Sequence, residues 1–329
     1  MKSERCVWLL IAWSLSGFAW ADARLSRPFQ VHNQNPFVDL VGLPRLGDAR
    51  LAATGQTQFY AAYNVASHFE IDDDGAESVI IDGETERLDL IWRRGFGDHW
   101  EAGVNLPLMR HSGGYLDNLI IDWHDWFNLP QNGRDRAARD RLVFLYDAPG
   151  ERILLSDDAS GIGDVQAFVG RSFGVSERSR SAVRAHVKLP TGEADDLLGS
   201  GGTDVSLTLH HERALGQRLL WGISGGVTFT GSADVLDDLR RPAVGHLNTH
   251  LAYQLTSRVS LKLQWDVHSA VYEDSDLLQL NEIAYVMGFG GAIKLTDKAV
   301  LEIIVTENYP HPEITPDVAF GLGLQWYLD

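Results

Sequence analysis

Residues 58–71 read Gln58-Phe59-Tyr60-Ala61-Ala62-Tyr63-Asn64-Val65-Ala66-Ser67-His68-Phe69-Glu70-Ile71. The odd positions are Phe59, Ala61, Tyr63, Val65, Ser67, Phe69 and Ile71, and the even ones include Gln58, Asn64, His68 and Glu70. A β-strand turns successive side chains to opposite faces. The stretch therefore builds a strand with one apolar and one polar face.

The same parity recurs along the chain. Leu88, Leu90 and Trp92 oppose Arg87, Asp89 and Arg93, and Trp100, Ala102, Val104 and Leu106 oppose Glu101 and Asn105. Val165, Ala167 and Val169 oppose Asp164 and Gln166, while Val183, Ala185 and Val187 oppose Arg184, His186 and Lys188. Val205, Leu207 and Leu209 oppose Asp204, Ser206, Thr208 and His210, and Leu247 and Leu251 oppose His246, Asn248 and His250. Leu261, Leu263, Trp265 and Val267 oppose Lys262, Gln264, Asp266 and His268. With the segments around Ile223, Phe289, Ile303 and Leu322 added, the pattern predicts about twelve strands, an even number as bacterial outer-membrane barrels have.

Alternation by itself fits a soluble sandwich as well as a membrane barrel. Two further signals select the barrel. The polar parity mixes charges and histidines with Gly and Thr, which suits a hydrated lumen. Connections also alternate in length: 94–99, 174–180, 211–218, 255–258 and 294–298 are short, whereas 72–86, 112–161, 190–202, 231–245, 269–281 and 307–316 are longer. Short turns on one rim and long loops on the other mark an up-and-down outer-membrane barrel. Phe59, Trp92, Trp100, Tyr253, Trp265 and Trp326 fit its interfacial aromatic girdles. The expected fold is an all-β transmembrane antiparallel barrel, residues 56–329, with one helix in a long loop.

The N-terminus agrees. Lys2 and Arg5 precede an apolar run from Val7 to Phe18, closed by Ala19-Trp20-Ala21. That order reads as a cleaved secretory signal over residues 1–21. The only cysteine, Cys6, lies within it, so the exported chain would carry no disulfide. Residues 22–55, with Pro28, Pro36 and Pro44, read as irregular chain, either a periplasmic arm or a plug turned into the lumen. The final residue is Asp329, whereas outer-membrane barrels commonly end in an aromatic.

Composition bounds the partners. A net charge of −17 in 329 residues leaves no basic stripe for nucleic acid. A mean hydropathy of −0.14 excludes a helical polytopic membrane protein. The expected partners are outer-membrane lipid and lipopolysaccharide, the barrel-assembly machinery, and an unidentified small solute. No motif calls for a cofactor or metal. His246 and His250 lie about 13 Å apart along a strand, too far to share an ion. Ser224 or Ser260 beside a histidine would be the start of a hydrolase site, but no nucleophile-elbow signature accompanies either.

The longest insertion changes period. Leu116, Leu119, Ile120, Trp123 and Phe127 fall at helical spacing, which predicts an amphipathic helix that packs on the rim, gates the mouth or meets lipid. The acidic run Asp72-Asp73-Asp74-Gly75 lacks the downstream ligand of a calcium loop and reads as turn chemistry.

Asn33-Gln34-Asn35-Pro36-Phe37, Gly42-Leu43-Pro44, and Phe127-Asn128-Leu129-Pro130 with Gly133-Arg134 resemble the proteobacterial domain-of-unknown-function 3187 family over essentially the whole mature chain. Ser160-Gly161-Ile162-Gly163-Asp164 and Leu189-Pro190-Thr191-Gly192-Glu193 resemble segments of outer-membrane channels from aromatic-degradation operons. The resemblance implies an outer-membrane location and brings no catalytic or binding residues. The functional expectation is a narrow or gated channel lined by His68, Arg87, Asp89, Arg93, Glu101, Asp164, Arg184, His186, Lys188, Asp204, His210, His246, His250, Lys262, Asp266 and His268. The alternatives are a closed interaction barrel and, third, a lumen hydrolase.

Overall fold

The computed structural model describes residues 22–45, 47–128, 130–308 and 314–328. The expected signal segment and Asp329 lie outside the described residues. In chain order the elements are β1 (Thr57–Asp73), β2 (Ser78–Phe96), β3 (Trp100–Ser112), α1 (Asp117–Phe127), β4 (Val143–Ala148), β5 (Glu151–Leu155), β6 (Ala159–Ile162) and β7 (Gln166–Phe173). There follow β8 (Ser179–Lys188), β9 (Asp204–Ala214), β10 (Leu219–Phe229), β11 (Ala243–Gln254) and β12 (Val259–His268). The chain ends with α2 (Leu278–Asn281), β13 (Ala284–Lys294), β14 (Ala299–Glu307) and β15 (Val318–Leu328).

Strands β1–β3 and β7–β15 pair antiparallel with their sequence neighbours, and β1 pairs with β15 to close a twelve-stranded transmembrane barrel. Closure leaves no edge strand unpaired, which a bilayer requires because it offers no water to an open ladder. Side-chain exposure follows the parity read from the sequence. On β9, Val205, Leu207 and Leu209 face outward at 49–57% exposure, while Asp204, Ser206, Thr208, His210 and Glu212 turn inward and are buried. Outward Phe59, Trp92, Trp100, Tyr253 and Trp326 gather near the short turns. The outer face is thus an apolar band with a girdle at its short-turn rim.

Three expectations are corrected. The segment 72–86 is not a long loop: β1 and β2 run on to a four-residue hairpin at Asp74–Glu77, where the Asp74 carboxylate accepts the N–H groups of Ala76 and Glu77. Outward charges at Asp82, Glu84 and Glu86 disguise this strand in the sequence. The insertion takes up two of them, through Arg141 on Asp82 and the N–H groups of Tyr115 and Leu116 on Glu84, and the Tyr63 hydroxyl of β1 donates to Glu86.

The second correction concerns α1, whose apolar stripe is only partly buried. It lies on the outside of the barrel, with Leu116 and Ile120 packed on outward-facing Val65, Val318 and Phe320. Leu119, Trp123 and Phe127, assigned to the same buried stripe, remain half exposed, as does Tyr115. The third is that β4 and β5 extend the sheet beyond β2, and Phe144 and Tyr146 join a buried apolar cluster.

Candidate channel interior

The interior is occupied by the chain's own N-terminal segment. From Asp22 it climbs beside β12. Ser260 Oγ donates to Leu25 O (2.5 Å), Lys262 Nζ to Arg27 O (2.8 Å) and Tyr272 Oη to Phe37 O (2.7 Å), and Phe29 N donates to Gln264 Oε1 (2.8 Å). It turns at the long-loop end and descends. Lys188 Nζ donates to Leu40 O (3.0 Å), Gly42 N to Asp204 Oδ2 (2.8 Å), Arg184 Nη1 to Asp48 O (2.5 Å) and Ala52 N to Glu101 Oε2 (2.8 Å). The segment passes through the lumen twice before β1 begins. This inward segment is referred to as the plug.

The turn is made by Asn33-Gln34-Asn35-Pro36-Phe37. Asn33 and Asn35 side chains cap the N–H groups two residues on, at Asn35 and Phe37 (3.0 Å each), while their amides donate to Ile314 O. Such Asx turns let an irregular chain reverse without leaving its buried polar groups unmade. Phe37, Val38, Leu40 and Val41 then enter one apolar cluster with Val79, Ile81, Phe144, Leu197, Leu236, Tyr272, Leu277, Leu280 and Ile314. The long loops and the turn of the plug together close that end of the barrel with a hydrophobic core. The sequence reading missed this core because its members are scattered over connections hundreds of residues apart.

Many of the expected lumen residues meet the plug. Arg87 and Asp89 join its His32, Asp39 and Arg45 in a closed ring. Arg45 lies 2.8 Å from Asp89, Arg87 is 3.2 Å from Asp89 and 2.6 Å from Asp39, His32 Nε2 is 2.7 Å from Asp39, and Arg45 Nη1 donates to His32 Nδ1. This geometry requires a neutral imidazole carrying its proton on Nε2.

A second hub surrounds Asp48. Its carboxylate oxygens lie 3.0 Å from Arg27 Nε, 3.5 Å from Arg93 Nη1 and 3.6 Å from Arg184 Nη2. Arg184 also binds Glu101 at 2.7 Å. Higher up, Lys188 bridges Asp164 (2.7 Å) and Asp204 (3.3 Å), and Arg240 meets Asp204 from a loop at 2.9 Å. On the ascending side Lys262 pairs with Glu302 and lies 4.4 Å from the Phe29 ring centroid, while Asp266 accepts from Gln264 and Asn248. Beside the Asp48 hub remains a cavity of about 70 Å³, lined in part by Arg45, Arg93, Arg184 and His186.

The histidines divide. His268 accepts from Asn33 of the plug (3.1 Å), and His68 contacts Thr85 (3.2 Å) and the edge of Phe144. His186 tilts against Phe168, and His246 lies 3.0 Å from Thr208 Oγ1. His250 lies over Gly222, where a Cβ would come within 2.0 Å of its ring, so only glycine fits opposite it. His210 meets Ser224 at 2.8 Å, and among the described residues no carboxylate pairs with its ring. The pair thus lacks the acid that orients a catalytic imidazole. Among the described residues no group of three or more His, Cys, Asp or Glu side chains could hold a metal ion.

The remaining motifs have physical roles too. Gly42 brings the plug's backbone against the wall, where a Cβ would lie 2.8 Å from that of Lys188 and 3.0 Å from that of Asp204. Asp164 accepts the N–H groups of Thr191, Gly192 and Ser200 besides Lys188, pinning the 189–203 loop over the rim. Arg134 reaches Asp117 and Asp317 (2.5 Å each) and Ser67 (3.0 Å), fastening the insertion to the outer wall. These segments match a family model, described as protein of unknown function (DUF3187), over residues 9–327.

The chain belongs to this family. A search of curated proteins finds no match. Among solved structures, an outer-membrane channel from Pseudomonas putida F1 is similar with a TM-score of 0.58 at 14% identity, over 87% of this chain and 100% of that one. The NanC porin follows with a TM-score of 0.48 at 11% identity, over 83% of this chain and 100% of its own. At such identities the likeness is one of fold: this DUF3187 member shares the architecture of outer-membrane channel barrels.

Proposed function

We propose that the protein is a gated outer-membrane channel for a small solute, and that its gate is the plug, residues 22–54. The observation that carries this reading is how the lumen is filled. The wall bears buried charge on half of its strands, and what neutralises Arg87, Arg93 and Arg184 includes Asp39 and Asp48 of the N-terminal segment. Withdrawing that segment would leave a wide, charged, hydratable bore. A barrel meant to stay sealed can fill its interior with its own strand side chains. Export through a cleaved signal at residues 1–21 and contact of the outer face with lipid and lipopolysaccharide belong to the same reading.

One observation favours the alternative, a closed barrel that serves through its loops: the apolar core at the long-loop end caps the mouth. Proteoliposome swelling separates the two. Protein lacking residues 24–52 is expected to admit small sugars that the intact protein excludes. Equal exclusion by both would overturn the channel and leave the closed barrel.

A further inference from the structure

The exposed side of α1 carries Leu119, Trp123, Trp126 and Phe127, with Trp126 75% exposed and the rings of Trp123 and Phe127 4.4 Å apart. At about 100° of turn per residue, these four fall on one stripe of the helix. Asp117, Ile120 and Ile121 form its buried side, where Ile120 packs on the barrel and Asp117 is held by Arg134. Exposed Asn118, Asp122 and Asp125 take the remaining side. The helix thus has one side for the wall, one apolar and bare, and one polar. A surface helix of a soluble protein needs only two such sides. A helix lying in the angle between a barrel wall and a bilayer surface needs three.

Its height on the barrel agrees. Val65 and Val318, which line its seat, stand six residues above Phe59 on β1 and eight above Trp326 on β15, and Phe59 and Trp326 pair in the short-turn girdle. At about 3.4 Å per residue and a strand tilt of about 40°, the seat lies roughly 16–21 Å above that girdle. The apolar band of an outer-membrane barrel is about 25 Å tall, and its short turns face the periplasm, so α1 lies at the outer-leaflet part of the band. The wall marks the same level. Val65 pairs with Glu86 and Glu86 with Arg110, the first outward charges above the band on β2 and β3. Below the seat, Leu322 and Leu324 of β15 are outward and exposed.

We propose that α1 is an interfacial anchor whose bare stripe is covered by outer-leaflet lipid. Leu119, Trp123, Trp126 and Phe127 enter the acyl chains, and Asn118, Asp122 and Asp125 stay in the headgroup layer. Tryptophan suits that boundary because its ring combines a large apolar surface with one N–H donor. The polar side bears no Lys or Arg, so apolar burial holds the helix there and attraction to headgroup phosphate does not. The inference rests on the outer-membrane placement of the barrel and is independent of whether the lumen conducts.

Spin-label accessibility in phosphatidylcholine vesicles tests it. Cys6 is the only native cysteine and lies in the expected leader, so single labels are placed on the exported protein by Trp126→Cys, Asp122→Cys and Leu207→Cys, the last on the outward face of β9. Oxygen concentrates among acyl chains and a nickel chelate in water. The label at position 126 is expected to resemble that at 207, with an oxygen-to-nickel collision ratio several-fold above that at 122. Leu119→Cys replaces Trp126→Cys where the latter does not assemble. A label at 126 that matches 122, while 207 reports lipid, would overturn the anchor and leave the barrel in the membrane. A label at 126 shielded from both reagents would mean that a protein surface covers the stripe, which overturns it too. Aqueous behaviour at 207 as well would overturn the outer-membrane placement itself.

Discussion

Asp48 is where the plug account is most exposed to test. Its carboxylate is 3% exposed and has three guanidinium groups within 3.6 Å. Asp48→Asn keeps the shape and removes the charge. While the plug is seated, Arg27, Arg93 and Arg184 are then left with the Glu101 carboxylate as their shared counter-charge. When the plug leaves, water enters and solvates all three, so the substitution penalises only the seated state. Removing one partner of a buried ion pair costs about 3–5 kcal/mol. Taking the lower figure because Glu101 remains, at about 1.4 kcal/mol per tenfold, the unseated population should rise on the order of 100-fold. Single-channel recording in planar bilayers reads this as open probability. Asp158→Asn, which breaks a pair with Arg110 at the surface, serves as the control and should change nothing. An Asp48→Asn protein that assembles, yet whose open probability stays within about threefold of native, refutes the reasoning.

His32→Ala should loosen the seat by about 1–3 kcal/mol, because Asp39 and Arg45 lose the imidazole that joins them; a rise in open probability in planar bilayers checks it. Gly42→Val should loosen the seat by about 1–3 kcal/mol, because its branched side chain meets the Lys188 and Asp204 Cβ atoms; a rise in conductance with unchanged barrel melting checks it. Arg134→Ala should release the insertion from the outer wall at a cost of about 3–5 kcal/mol, since Asp117 and Asp317 lose their shared partner. Proteolysis confined to residues 113–141 of an otherwise intact barrel is the expected outcome, and resistance there would count against it.

The barrel was legible because its signal is local: each strand carries its own parity, and a lipid face and a polar interior cannot exchange without reversing every side chain. The plug was not legible as such. Its residues have no period, and Phe29, Asp39 and Asp48 gain meaning only against Gln264, Arg87 and Arg184, which lie far along the chain. The inward face of the wall could be listed from the sequence, but what it faces could not. The prolonged β1–β2 hairpin was hidden because outward Asp82, Glu84 and Glu86 break the apolar band, and their partners lie on the insertion, for Asp82 and Glu84, and on β1 and β3, for Glu86. The helical spacing of Leu116 to Phe127 correctly marks a helix. It gives no sign that Leu116 and Ile120 pack on β1 and β15 while Leu119, Trp123 and Phe127 turn away from the wall.

The central claim is that residues 22–54 close an otherwise open bore. Ion conductance across planar bilayers, compared between the full-length protein and one lacking residues 24–52, tests it most directly. The account predicts a nearly silent intact protein and large, steady unitary currents from the shortened one. Equal conductance in the two, whether both silent or both open, would contradict it.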